Sequence, residues 1–250
     1  KRSLKVPGNG ISSISWEGPG LRIAFAVDSF IYFANVKPDY NWGYFNNTVV
    51  YSFTKIERPE HCVVFWNTIT HEKYIKYIKK LICVRAAGDY CALITSGEDD
   101  TNIIVLCNTI GSPVETKYIN IAPQQVAMTE THVICCSDDK VYCWNYKSKG
   151  QFHIYKSSAN DSYKSSNREK TFHIDEKLGY TKSSDKICSL CANTESLYIG
   201  RTSGAIHQYG LPKLDYIRTF EVKSRPFKMA LNCDSTRLSI IDLNGFFFNI

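Results

Sequence analysis

Short apolar segments separated by polar turn residues run along the whole chain. Each segment either alternates apolar and polar positions or is apolar throughout, and Val, Ile, Tyr, Phe and Cys are its commonest residues. Both patterns are typical of β-strands. Only His71–Lys80 has apolar residues at helical spacing, and an outer strand explains that segment equally well. The sequence therefore predicts an all-β fold, whose clearest strands are Leu21–Val27, Ser29–Val36, Cys62–Asn67, Asn102–Cys107, His132–Cys136 and Lys140–Tyr146.

One kind of strand recurs and ends in an apolar or aromatic residue followed by Asn. Successive members are separated by roughly 30 to 40 residues, except for one longer interval before Gly210. A tight turn and two further strands surround each member, and a looser fourth strand follows. Four antiparallel strands in about 40 residues form one blade of a β-propeller. We therefore predict WD40-type β-propeller blades, with the recurrent strands ending at Asn35, Asn67, Asn108, Asn145 and Asn249 and, in a Gly variant, at Gly210.

Two stretches interrupt this rhythm. Lys37–Asn47 is rich in aromatic and turn residues. Ser157–Ser184 is rich in Ser, Lys and Asn and has few large apolar side chains. Such a composition cannot bury enough apolar surface to fold alone, so we predict a flexible insertion over about 157–184.

Composition narrows the class of protein further. The net charge is +6, from 30 basic against 24 acidic residues, which is weaker than a nucleic-acid-binding face requires. No apolar run reaches the roughly 18 residues of a membrane span. The first residues lack both an initiator Met and a signal-peptide pattern, so we expect an internal fragment. The 10 Cys fall mostly within apolar strands, which indicates reduced cytosolic thiols.

Catalytic and metal-binding motifs are missing from the sequence. It contains no HExxH, P-loop, GxGxxG or nucleophile elbow. Cys188 and Cys191 form a lone CxxC, but a zinc site needs a second pair of ligands and no paired His supplies it. We predict core packing for these thiols, with a metal protein or enzyme as the minority alternative. The sequence thus predicts no enzyme, and no catalytic, cofactor or metal residue.

The aromatic segment offers the best candidate for a protein contact. Its candidate interaction residues are Lys37, Asp39, Tyr40, Trp42 and Tyr44. Exposed aromatic side chains in a loop are costly unless a partner covers them. The alternative is packing across a blade edge or against a neighbouring domain, and the sequence leaves both readings open.

This segment also carries a family resemblance. LRIAFAVDSFIYFANVKPDYNWGYFNNTVVY, followed by ERPEHCVVFWNT and EKYIKYIKKL, resembles the WD-repeat subunits of the intraflagellar transport A complex. Later segments that resemble them include LCNTIGSPVETKYINI, IGRTSGAIHQYGLP and LNCDSTRLSIIDLNG. The resemblance weakens at Ser157–Lys170 and Lys177–Asp185. It implies two tandem propellers followed by a helical solenoid, with no catalytic residues to transfer.

The resemblance sets the remaining expectations. It implies that residues 1–70 close a first propeller and that residues 71–250 begin a second. It implies a non-catalytic scaffold subunit of a hetero-oligomeric complex that supports retrograde ciliary transport and ciliary import of membrane proteins. The implied partners are other subunits of that complex and ciliary cargo adaptors, without nucleic acid, and it allows peripheral membrane association. The implied location is the cilium (axoneme and basal body) and the cytoplasm. The alternative is a vesicle-coat propeller subunit that binds cargo tail peptides.

Overall fold

Antiparallel β-strands, paired in chain order, make up most of the structure, and helix is almost absent from the described residues. The computed structural model describes residues 6–16, 22–35, 41–54, 59–97, 101–147, 168–179 and 184–250. Within these residues the strands form six sheets of three or four strands. The fold class predicted from the repeat is therefore confirmed.

Each sheet is a meander of consecutive strands. The first has three strands: β1 (Ile11–Trp16), β2 (Arg22–Val27) and β3 (Phe30–Asn35). The second has β4 (Asn41–Phe45), β5 (Thr48–Thr54), β6 (His61–Asn67) and β7 (Lys73–Ile78). The third has β8 (Leu81–Ala87), β9 (Tyr90–Ser96), β10 (Asn102–Cys107) and β11 (Pro113–Ile119).

The remaining sheets follow the same order. The fourth has β12 (Gln125–Met128), β13 (His132–Cys136), β14 (Lys140–Asn145) and β15 (Glu169–His173). The helix α1 (Ile174–Leu178) follows β15 directly. The fifth sheet has β16 (Ile187–Ala192), β17 (Ser196–Arg201), β18 (Ala205–Gly210) and β19 (Asp215–Glu221). The sixth has β20 (Pro226–Leu231), β21 (Leu238–Asp242) and β22 (Phe247–Asn249).

Tight turns join the strands where the sequence has residues that tolerate positive φ. Asn46 and Asn47 connect β4 to β5 with φ of 39° and 58°. A two-residue hairpin loop whose residues both have positive φ matches the twist of the flanking strands, and Asn is one of the residues that accept this backbone. Asp28 plays the same part between β2 and β3, with φ of 52°. Local turn chemistry therefore fixes the register of these hairpins.

Five of the sheets stack face to face in chain order. Their first strands, β4, β8, β12, β16 and β20, pack successively against one another. Four apolar clusters fill the spaces between neighbouring sheets. The largest side chains in these clusters include Phe65, Trp144 and Tyr209, each fully buried. This arrangement of radial sheets with inner strands side by side is that of consecutive propeller blades.

The structure decides between two interpretations of one segment and corrects the prediction for another. The segment that could pass for a helix, His71–Lys80, contains β7, which pairs with β6 as an outer strand. The insertion predicted over 157–184 contains β15, which pairs with β14, and the helix α1. β15 is the fourth strand of its sheet. Its polar sequence gives no strand signal, and pairing with β14 holds it in place. Residues 157–167 and 180–183 of that insertion lie outside the described residues.

The predicted division of the chain at position 70 falls inside the second sheet. β7 lies beyond this position but is hydrogen-bonded to β6, which lies before it. A division there would separate one strand from a four-stranded sheet, whereas a division between β3 and β4 would separate none. The assignment of the two parts to two propellers remains a prediction.

Candidate interaction surface

Trp42 and Tyr44 lie on β4 rather than in a loop. The strand alternates between two faces, as period-2 geometry requires. Phe45 is buried against the next sheet, and Gly43 approaches it so closely that a Cβ there would lie 2.7 Å from the Cβ of Ala86. Trp42 and Tyr44 point the other way and are 64% and 53% exposed. Because side chains alternate along the strand, the face opposite Gly43 carries these two aromatic residues.

The aromatic character continues across the whole sheet. Trp42 pairs with Tyr51 of β5, and Tyr44 pairs with Val49 of the same strand. These β5 residues pair with β6, and β6 pairs with β7. We call this side the open face of the β4–β7 sheet. It comprises Trp42, Tyr44, Val49, Tyr51, Phe53, Cys62, Val64, Trp66, Lys73, Ile75 and Tyr77.

Side-chain contacts organise the open face. The rings of Tyr51 and Phe53 stack with centroids 6.2 Å apart. The ammonium of Lys73 lies 5.9 Å from the centre of the Trp66 ring, within cation–π range. Ile75 is 55% exposed and Tyr77 44% exposed. Cys62 and Val64 of this face are buried, whereas Trp42, Tyr44, Ile75 and Tyr77 are exposed. Among the described residues of the face, only Lys73 is charged.

Two of the five predicted interaction residues, Trp42 and Tyr44, lie on this face. Lys37, Asp39 and Tyr40 lie outside the described residues. Trp42 and Tyr44 are brought together with the aromatic residues of β5, β6 and β7, which the sequence-based prediction omitted. The alternation of large apolar residues in Thr48–Thr54 (TVVYSFT) was the signal that could have extended the site.

The cysteine pair that raised the metal alternative lies on β16. The Cys188 thiol is buried and contacts the carbonyl oxygens of Gly200 and Pro226 at 3.4 and 3.2 Å. Cys191 packs against the apolar cluster between the fifth and sixth sheets, and burial raises its pKa to about 12. A thiol with a raised pKa is a poor nucleophile and a poor metal ligand because the reactive form is the thiolate. The two thiols are therefore packing residues in this structure.

Within the described residues, no group of three or more His, Cys, Asp or Glu side chains is arranged to hold a metal ion. No helix among those residues has the length and apolarity that a membrane crossing needs.

Comparisons with known proteins assign the family. A family model described as the WDR35 second beta-propeller matches residues 42–250. The chain belongs to this family. The matched range begins within β4 and includes all five stacked sheets, so the family and the geometry agree on the same part of the chain.

Similar full-length proteins bear out the resemblance found in the sequence. The chain is 43% identical over 257 residues to WD repeat-containing protein 35 of Rattus norvegicus, covering 97% of this chain and 22% of that protein. It is 42% identical over 268 residues to the Homo sapiens protein of the same name, covering 97% of this chain and 23% of that protein. The chain thus spans less than a quarter of the length of these relatives.

Solved structures of low sequence identity share the fold. The β-propeller domain of Cps50 (Swd1) from Myceliophteria thermophila superposes with a TM-score of 0.57 at 10% identity, covering 85% of this chain and 65% of that chain. Hsv2 from Kluyveromyces lactis gives a TM-score of 0.52 at 9% identity, covering 82% of this chain and 56% of that chain. At such identities the likeness supports the propeller fold alone.

Proposed function

We propose that the protein is a non-catalytic scaffold subunit of the intraflagellar transport A complex. In this role it supports retrograde ciliary transport and the ciliary import of membrane proteins, through contacts with other subunits and with cargo adaptors. The observation that carries the proposal is its membership of the WDR35 second-propeller family over residues 42–250. A stack of blades suits scaffolding because its rigid sheets present loops and faces to several partners without refolding.

Live imaging in ciliated cells tests this role. A fluorescently tagged relative of full length, with this chain in place of its matched segment, should concentrate at the ciliary base and move along the axoneme. Its purification should recover stable companion subunits. Diffuse cytosolic signal in ciliated cells would contradict the proposal. Location on Golgi or endosomal membranes, together with capture by cargo tail peptides, would instead support a vesicle-coat subunit.

We also propose that the first sheet and the stacked sheets belong to different propellers. Residues up to 35 would close the first propeller and residues from 41 would begin the second. Two observations support this division: β1 is exposed along its whole length, and the described part of β1–β3 shows no extensive packing against β4–β7. The family model likewise begins at residue 42.

We propose that another propeller sheet covers the open face of β4–β7. Each of the four inner interfaces of the stack is filled by the same kind of side chains that this face exposes. The contact proposed for Trp42 and Tyr44 is therefore packing between blades.

Substitution of Trp42 distinguishes this packing from an accessory contact. In the 250-residue chain, Trp42→Ala should change the free energy of unfolding by less than about 1 kcal/mol, because the side chain is 64% exposed. In the full-length relative the same change should cost about 3 kcal/mol if a sheet covers the ring. Trp144→Ala, at a fully buried ring, should cost about 3–5 kcal/mol in both. Equal, small effects of Trp42→Ala in the two proteins would contradict the proposed packing.

A further inference from the structure

A cleft lies between the fourth and fifth sheets, away from the open face of β4–β7. Its volume is about 270 Å³, and its walls come from β13, β14 and β15 on one side and from the turn between β18 and β19 on the other. We call it the basic cleft and define it by His132, Cys143, Arg168, Lys170, Pro212 and Lys213. None of the described residues that line it carries a carboxylate.

Arg168 is held in place and its charge is compensated from outside the cleft. Its two terminal nitrogens donate to the two carboxylate oxygens of Glu115 at 3.4 and 3.0 Å. Its Nε donates to the carbonyl oxygen of Asn145 at 3.1 Å. This forked pairing fixes the guanidinium. The positive charge that remains uncompensated within the cleft therefore comes from the two lysines.

Lys170 and Lys213 meet across the junction between the sheets. The Lys170 ammonium donates to the carbonyl oxygen of Lys213 at 3.1 Å. An ammonium has three donors, so this bond leaves others for a ligand. Both side chains are exposed, and the salt bridges of the described residues include neither. The fold thus places two cations at the mouth of one cleft.

His132 forms the buried end of the cleft. It is 3% exposed, and its Nδ1 lies 2.8 Å from the hydroxyl of Thr131. Burial and then the charge of Lys170 lower its pKa, so the imidazole is neutral at pH 7. The charge of Lys170 also acts on Cys143, where it opposes the rise in pKa that burial causes. The electrostatic potential of Lys170 therefore reaches the floor of the cleft.

We propose that the basic cleft binds a carboxylate or phosphate group carried by an acidic segment of a partner protein. The cleft is lined by hydrogen-bond donors: two lysine ammonium groups, a buried imidazole and a guanidinium whose charge is compensated. An anion bound there would accept hydrogen bonds from these groups. A volume of about 270 Å³ admits one such side chain. The headgroup plane of a membrane is flat and does not reach a recessed imidazole.

Calorimetric titration of the full chain tests the site with defined probes. The probes are a blocked peptide of alternating Gly and Glu, its phosphoserine counterpart and its uncharged Gln counterpart. We expect the two acidic peptides to bind and the Gln peptide not to bind. The variant Lys170→Gln/Lys213→Gln should weaken binding about tenfold or more, since a hydrogen bond to a charged group contributes on this scale.

A matched variant separates the site from the general charge of the protein. Lys223→Gln/Lys228→Gln removes the same charge from exposed residues elsewhere and should leave the affinity within about twofold. Both double variants change surface residues and should melt at the temperature of the wild type; the single variant Lys213→Gln serves if one does not. Equal weakening by the two double variants, no binding of either acidic peptide, or retention only on vesicles of phosphatidylserine and phosphatidylcholine would overturn the proposal.

The ionisation of His132 gives a second readout. An anion in the cleft favours the charged imidazole, so binding should raise the pKa of His132 as followed by NMR. By linkage, the Glu peptide should then bind more tightly as the pH falls from 7.5 to about 6. The phosphoserine peptide is left out of this measurement because its phosphate takes up a proton near pH 6. Arg168, Lys170 and Lys213 are the basic groups that line the cleft with the imidazole, and Glu115 lies behind Arg168. An unchanged pKa of His132 at saturating peptide would contradict binding in the cleft.

Discussion

Single residues decide how closely neighbouring sheets approach. Gly43 is an example: its missing side chain lets β4 lie against β8, and the same closeness turns Trp42 and Tyr44 to the opposite face. Sequence alone marks Gly43 as a turn residue or a strand breaker, because glycine is depleted in strands. The contact with Ala86 that explains it joins positions far apart in the chain and is visible only in the fold.

Replacing Gly43 with Ala should destabilise the protein by about 1–3 kcal/mol, because the added methyl group would lie 2.7 Å from the Cβ of Ala86. Urea unfolding followed by intrinsic fluorescence measures the change. Gly210→Ala is the matched control, since its added methyl group would meet Ile217 at an ordinary 3.6 Å. Combining Gly43→Ala with Ala86→Gly should restore most of the loss. Equal effects at positions 43 and 210 would show that the sheet contact is not the cause.

Elements that look dispensable in the sequence are anchored by buried charge. The short helix α1 sits in the predicted insertion, yet its Asp175 is buried and pairs with Arg201 of β17 at 2.7 Å. Arg201 also pairs with Asp185 at 3.3 Å. Burial alone would raise the pKa of Asp185, but bonds from Thr202 and Ser203 and the charge of Arg201 leave it below its usual value. The network therefore joins two segments to the fifth sheet.

Removing the cation from this network should be costly. Arg201→Met leaves the buried Asp175 carboxylate without this partner and should lower the free energy of unfolding by about 3–5 kcal/mol. Adding Asp175→Asn to that variant should recover part of the loss, because it removes the uncompensated charge. The control Arg218→Met changes an exposed arginine that lies over the Phe220 ring at 4.4 Å and should cost about 1 kcal/mol or less. Similar losses for the two arginines would refute the anchoring role.

The whole molecule buries most of its thiols in the spaces between strands. All ten cysteines are free; eight are buried, Cys191 is half-buried and Cys233 is exposed. Burial raises the pKa of Cys107 to about 11 and that of Cys191 to about 12. Accessibility therefore singles out Cys233, the one exposed thiol.

A thiol reagent at pH 8 should label the native protein at Cys233 and, in denaturant, label all ten thiols. The expected result is one fast equivalent per chain, measured by absorbance or mass spectrometry, because only an exposed thiolate reacts readily. Cys233→Ser should abolish the fast phase, whereas Cys62→Ser, at a buried position, should not alter it. Several fast equivalents in the native protein would show that the sheets open on the timescale of labelling.

Sequence reasoning recovered the fold better than it recovered the sites. The strands ending in Asn repeat at blade spacing, and turn residues such as Asp28 mark hairpins, so most blades follow from local signals. The hairpin at Asn46 was not predicted, because it lies in the aromatic stretch that interrupts the repeat. β15 was not predicted because its residues are mostly polar and pairing with β14 stabilises it. The basic cleft could not be predicted, since His132, Lys170 and Lys213 meet only where two sheets pack.

The stacking of the sheets limits how far a local change can be felt. Each apolar cluster joins only two neighbouring sheets, so the energetic coupling is of nearest-neighbour type, as in linear repeat proteins. Gly43 lies at the interface of the second and third sheets, whereas Arg201 belongs to the fifth. Their effects on stability should therefore add with almost no interaction energy. Substitutions in a surface or a cleft of one blade can then accumulate in evolution without changing the stability of blades beyond its immediate neighbours.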